Sequence, residues 1–162
     1  VSTNYTGIIY FCGHGGYGKL IGIPDNDPNP KELFGIGGDV DVSALQNLRM
    51  VRVVYLGSCK TCLDSKGTGL VQAINQRGAW AVVGFHIDVE GREKPPSRKA
   101  DEAFFESLAG STGGLFGIGK FAGKTVLEAA QDACKYVEVK GQQPKNWWEV
   151  YGIAGNPNTR LW

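Results

Sequence analysis

The apolar positions of this chain fall into short dense runs separated by glycine-rich breaks. Residues 7–12 read GIIYFC, residues 51–56 read VRVVYL and residues 80–85 read WAVVGF. Runs this short, rich in β-branched and aromatic residues and closed by small or polar residues, predict strands buried on both faces of a parallel sheet. Between the second and third, Leu70, Val71, Ala73 and Ile74 interleave with Gln72, Asn75 and Gln76, and the pattern stops at Gly78. That is a crossover helix, and strand, helix, strand in so short a span means a parallel pair. The fold class is α/β.

Elsewhere the pattern is looser. Residues 15–41 are crowded with Gly, Pro, Asp and Asn and predict a long surface loop with a small hairpin, of a length that usually serves function. Ser43 is placed to cap a short helix over 44–48. A polar loop over 86–96 leads to a helix over 98–108, where Ala100, Ala103, Phe104 and Leu108 share a face. A second glycine-rich loop covers 111–123. Thr125 and Glu128 then form a capping box for a helix reaching Val137, and residues 147–154 predict a closing strand. With no internal repeat, the whole of 1–162 reads as one domain.

Charge narrows the field. Seventeen Lys and Arg against 16 Asp and Glu leave +1, so no broad attraction to nucleic acid or to an anionic membrane is expected. No apolar stretch reaches the roughly 18 to 20 residues of a membrane span, and the first residues have neither the basic start nor the apolar core of a signal peptide. Four cysteines in 162 residues do not make a disulfide framework, so a reducing, cytoplasmic setting is expected.

Three familiar motifs fail on context. Gly13-His14-Gly15-Gly16-Tyr17-Gly18 fits a dinucleotide loop, but Ile21 to Asp25, with Pro24 inside, cannot open the helix that would hold a pyrophosphate. Residues 114–120 fit a phosphate loop, yet Phe121 replaces the metal-binding hydroxyl and no apolar strand precedes them. His14-Gly15-Gly16 resembles an esterase oxyanion segment without any G-x-S-x-G serine to serve. A metal or redox reading has more substance: Cys12 and His14 at one strand end, Cys59 and Cys62 at another, resemble the ligand pattern of zinc deaminases. The general-acid glutamate is missing, since position 16 is Gly, and no proline precedes Cys59. A structural zinc or a redox C-x-x-C stays an alternative.

The other reading is a Cys–His dyad. Two strand ends deliver His14 and Cys59; an imidazole that takes the thiol proton makes a nucleophile, and backbone amides at Gly15 and Cys59 would face a developing oxyanion. The opposing picture is a core cysteine and a surface histidine that never meet.

With these residues in view, the chain resembles the caspase-like (clan CD) cysteine peptidases, which include caspases, gingipains, separases and CHAT domains. The likeness rests on strand-His-Gly followed 45 residues later by strand-Cys, then on the helix-Gly-Ala-strand stretch over 69–85, and runs from about Gly7 to Gly155. It implies a three-layer α/β/α sandwich with a mostly parallel sheet. It also implies Cys59 as nucleophile, His14 as its partner, Gly15 as an oxyanion donor, a protein or peptide substrate, and no organic cofactor; calcium is not legible from the sequence. Gly57 stands where relatives that cut after Arg or Lys often carry Asp. The family fold opens with a strand-helix-strand unit before the histidine strand, and six residues precede Gly7 here. An N-terminal fragment or a second chain is therefore expected to cover an open edge beside residues 7–12. Phe85, His86 and Asp88 follow the third strand at the sheet edge where α/β folds bind ligands, which makes them substrate-binding candidates. The functional expectation is a cysteine endopeptidase working through a thioester acyl-enzyme, against a non-catalytic CHAT-like scaffold, since function belongs to sites and not to folds.

Overall fold

The structure, a computed structural model, describes residues 7–16, 19–22, 31–35, 41–45, 47–62, 69–88, 95–110, 122–137 and 146–161. In chain order it forms β1 (Gly7–Cys12), β2 (His14–Gly16), β3 (Lys19–Gly22), β4 (Lys31–Gly35), β5 (Val51–Gly57), α1 (Gly69–Asn75), β6 (Ala81–Phe85), α2 (Pro95–Ala109), α3 (Val126–Cys134) and β7 (Tyr151–Gly155). Short 3₁₀ turns occupy Val42–Ala44 and Trp147–Glu149. The main sheet runs β1-β5-β6-β7, parallel from β1 to β6 and antiparallel at β7. A three-stranded antiparallel sheet, β2-β3-β4, stands beside it.

Strand alternation sorts the core into two layers. Val53, Tyr55, Ala81, Val83 and Phe85 face one way, against Phe104 and Leu108 of α2 and Val126, Ala130 and Ala133 of α3. Val54, Leu56 and Val82 face the other way, against Leu70, Val71 and Ile74 of α1. Helices therefore cover both faces, which is why β5 and β6 tolerate apolar residues at successive positions. Each fully buried Leu or Phe contributes about 1.5–3 kcal/mol through the water it sheds.

β1 departs from expectation in part. It is a parallel strand, but Ile8, Ile9 and Tyr10 are 42%, 42% and 47% exposed rather than buried on both faces. The reason is position: among the described residues β1 pairs with β5 and with no strand on its other side.

Four further elements differ from the sequence reading. The described parts of the 15–41 segment form β2, β3 and β4 rather than a loop with a small hairpin. The helix assigned to 44–48 is a 3₁₀ turn that starts two residues earlier, because the Asp41 carboxylate accepts the Ser43 amide at 2.7 Å and Leu45 is already extended. The final strand starts at Tyr151 instead of 147, since apolar residues at 147, 148, 150 and 151 fit a tight turn as well as a strand. α3 carries the full capping box, Thr125 and Glu128 exchanging bonds of 2.8 and 3.2 Å, but ends at Cys134 rather than Val137. The motif at 114–120 and most of the 111–123 loop lie outside the described residues.

Candidate active site

Register sets the site. Cys12 lies beside Gly57 in the parallel β1–β5 pair, so the two chains leave the sheet side by side and His14 and Cys59 each follow two residues later. The junction is stitched at two points. Ser58, 2% exposed, donates its hydroxyl to the Gly13 carbonyl at 3.0 Å. Gly15 lies against the same turn: a Cβ there would stand 2.6 Å from the Ser58 Cβ and 3.0 Å from the Cys59 carbonyl oxygen. Only glycine permits that approach. His14 is exposed at the start of β2, paired across to Ile21, and Cys59 is half-buried on its turn. The β1–β5 register thus brings the two strand ends that lead to His14 and Cys59 side by side.

The cysteine turn is bound just as firmly to β6. Lys60 donates its amide to the Ile87 carbonyl and Cys62 donates its amide to the Phe85 carbonyl, both at 3.1 Å. Thr61, fully buried, accepts the Phe85 amide through its hydroxyl at 3.1 Å and donates that hydroxyl to the Ser58 carbonyl at 3.4 Å. Its own carbonyl takes the Leu70 amide at 2.9 Å, tying the turn to α1. Lys60, directly after Cys59, sits at φ 50°, a left-handed conformation uncommon outside glycine, and its ammonium pairs with Asp88 at 2.7 Å. Replacing Thr61 by Val keeps the shape and deletes the acceptor for the Phe85 amide. We expect a loss of about 1–3 kcal/mol, read as a lower urea midpoint, together with slower alkylation of Cys59.

The other candidates separate. Phe85 is 1% exposed, packed between Tyr55 and Tyr151, and has no surface for substrate; its assignment as a substrate contact is corrected, because the strand carries it into the core. Asp88 is exposed and engaged by Lys60. His86 is half-buried at the mouth of a cavity between α1, β7 and the Trp147–Glu149 turn.

Cys62 seats its side chain against β6 and β7. Its sulfur lies against Gly84 of β6 and Gly152 of β7, where a Cβ at Gly152 would be 2.5 Å away. Among the described residues no three His, Cys, Asp or Glu side chains gather to hold a metal ion.

Burial pushes the Cys62 thiol up to about 12, despite hydrogen bonds from the Gly152 and Gly84 backbone that act the other way. An acid whose folded value exceeds its unfolded value near ~8.5 stabilises fully below that pH and loses the contribution as pH rises toward the folded value. Between pH 7 and pH 10 the parent is expected to lose about 2 kcal/mol that Cys62→Ala does not lose. Urea unfolding of both proteins at the two pH values measures it.

Two functional positions had no sequence signal. Ser58 and Thr61 flank the cysteine without any diagnostic spacing, and their roles exist only because Gly13 and Phe85 arrive from other strands. Comparison with protein-family models, curated proteins and solved structures finds no match for this chain.

Proposed function

We propose that this chain is a cysteine endopeptidase of the caspase-like type, with Cys59 as nucleophile and His14 as general base. The observation that carries the reading is the fusion of the two strand ends, through the Ser58–Gly13 hydrogen bond and the close seat of Gly15 on the Cys59 turn. Support for the fold comes from a mostly parallel sheet with helices on both faces and the histidine and cysteine strands adjacent. In the reaction the Cys59 sulfur attacks the peptide carbonyl carbon and His14 takes the thiol proton. The C–N bond breaks as His14 returns that proton to the departing amine, leaving a thioester. Water, deprotonated by His14, cleaves the thioester and restores the thiol. Gly15 is assigned to the oxyanion.

The reading needs no organic cofactor. A thiol nucleophile has to stay reduced, so a cytoplasmic setting belongs to the proposal, as does an N-terminal fragment or second chain paired on the open edge of β1. Incubation with peptidyl acyloxymethyl ketones followed by peptide mass mapping tests it. A single adduct on Cys59, absent from urea-unfolded protein, is the expected result. Adducts spread over Cys12, Cys59 and Cys134 in proportion to exposure would favour the scaffold reading instead.

A further inference from the structure

Beyond the dyad, the structure holds an open cavity of about 510 Å³. It lies within the roughly 300–1,000 Å³ typical of ligand pockets. It is lined by Trp147, Trp148 and Tyr151, by Val71 of α1 and by Gly152 of β7. The cysteine turn contributes to it. Cys62 and His86 both line it, and the amide of Lys60, the residue after Cys59, is bonded to Ile87, the residue after His86.

We infer that this cavity receives a large uncharged side chain, aromatic or branched aliphatic, from the residue whose carbonyl Cys59 attacks. The inference rests on the peptidase reading above and adds to it the class of bond cleaved.

The chemistry of the walls selects the occupant. Among the described residues no Asp, Glu, Lys or Arg lines the cavity. A charged side chain entering it would lose water and gain no counter-charge from these walls, a penalty of several kcal/mol. Burial pushes the His86 imidazole down from its ordinary value and the Cys62 thiol up, so both present neutral groups at pH 7. Trp147 and Trp148 meet edge to face at 6.0 Å, and Trp148 is 57% exposed, leaving an aromatic surface for a ring or branched chain to cover. Gly152 leaves room among the lining residues: a Cβ there would stand 2.5 Å from the Cys62 sulfur and 3.0 Å from His86 Nε2.

The test uses matched peptidyl acyloxymethyl ketones that differ only in the side chain beside the ketone: Phe, Leu, Arg or Asp. The Phe and Leu probes are expected to label Cys59 at least ~10-fold faster than the Arg and Asp probes, the scale on which an apolar pocket discriminates. Two surface variants probe the wall, with the melting temperature as the check on folding. Trp148→Ala is expected to slow the Phe probe toward the rate of the Arg probe. Gln72→Glu, which adds a carboxylate to the α1 rim, is expected to raise Arg labelling relative to Phe. Equal rates for all four probes, or a preference that neither variant moves, overturns the inference and leaves Cys59 as a nucleophile. Failure of every probe, with no His14-dependent alkylation of Cys59 by iodoacetamide, overturns the peptidase reading and the inference together.

Discussion

Iodoacetamide at pH 7 is expected to alkylate Cys59 at least ~10-fold faster than Cys134, and His14→Ala is expected to remove that advantage. None of the four cysteines, all of them described residues, is in a disulfide, so each is its own control. Cys62 is held as a neutral thiol by burial, and Cys134, buried at the end of α3, is pushed up by burial and by the nearby Glu149 carboxylate. Only thiolate reacts, so both should lag whatever their access. Cys12 is exposed on the open edge of β1 and reports the rate of an ordinary accessible thiol. For peptide hydrolysis the effects are larger. Cys59→Ala is expected to abolish turnover, and His14→Ala to lower kcat/KM by roughly 10²–10⁴-fold, the usual contribution of a positioned base. Neither change touches the buried core, so melting temperatures should stay close to the parent's. If Cys59 alkylates no faster than Cys12, and His14→Ala makes no difference, the dyad does not exist.

The largest stability effect is expected at Asp101. This residue of α2 is 8% exposed and accepts two tyrosine hydroxyls, Tyr55 on Oδ1 and Tyr10 on Oδ2, each at 2.7 Å. Tyr55 is fully buried; burial first, then the neighbouring Tyr151 and Asp101, push its hydroxyl well above the ordinary value, so it stays a donor. Asp101→Ala leaves that hydroxyl in the core without its acceptor, and we expect a loss of about 3 kcal/mol or more in urea unfolding. Asp101→Asn, whose amide oxygen still accepts, is expected to lose less. The same substitution reaches the site, because Tyr10 holds the open strand β1 down on α2, stacked edge to face on Phe105 at 5.3 Å. β1 leads directly into His14, so Asp101→Ala should also cut the His14-dependent part of Cys59 alkylation. A loss under about 1 kcal/mol would mean that water or another acceptor takes the tyrosine hydroxyls freely in place of the carboxylate.

Much of this molecule is legible along the chain itself. Continuous apolar runs announce β1, β5 and β6, the Thr125–Glu128 pair announces the start of α3, and Gly13-His14 and Cys59 stand out as strand ends. Burial is less legible. The run at 7–12 looks like a central strand, and its exposure follows from what lies beside it, which a local pattern cannot contain. Asp101 shows only as one polar position in an amphipathic helix, and the Trp147–Tyr151 run fits two periods at once.

The division has a physical cause. Local chemistry, meaning branched side chains that favour strands, caps that satisfy orphan amides and glycines that allow close turns, acts between near neighbours and is written along the chain. It determined the α/β class, the strand ends and the candidate nucleophile. Only the tertiary structure decided which residues meet: Ser58 on the Gly13 carbonyl, Thr61 on the Phe85 amide, Cys62 against Gly84 and Gly152, and a cavity lined by Cys62 and His86. Those contacts join residues 24 to 90 positions apart, as in Thr61 with Phe85 and Cys62 with Gly152. They depend on strand order and register, which no local pattern encodes.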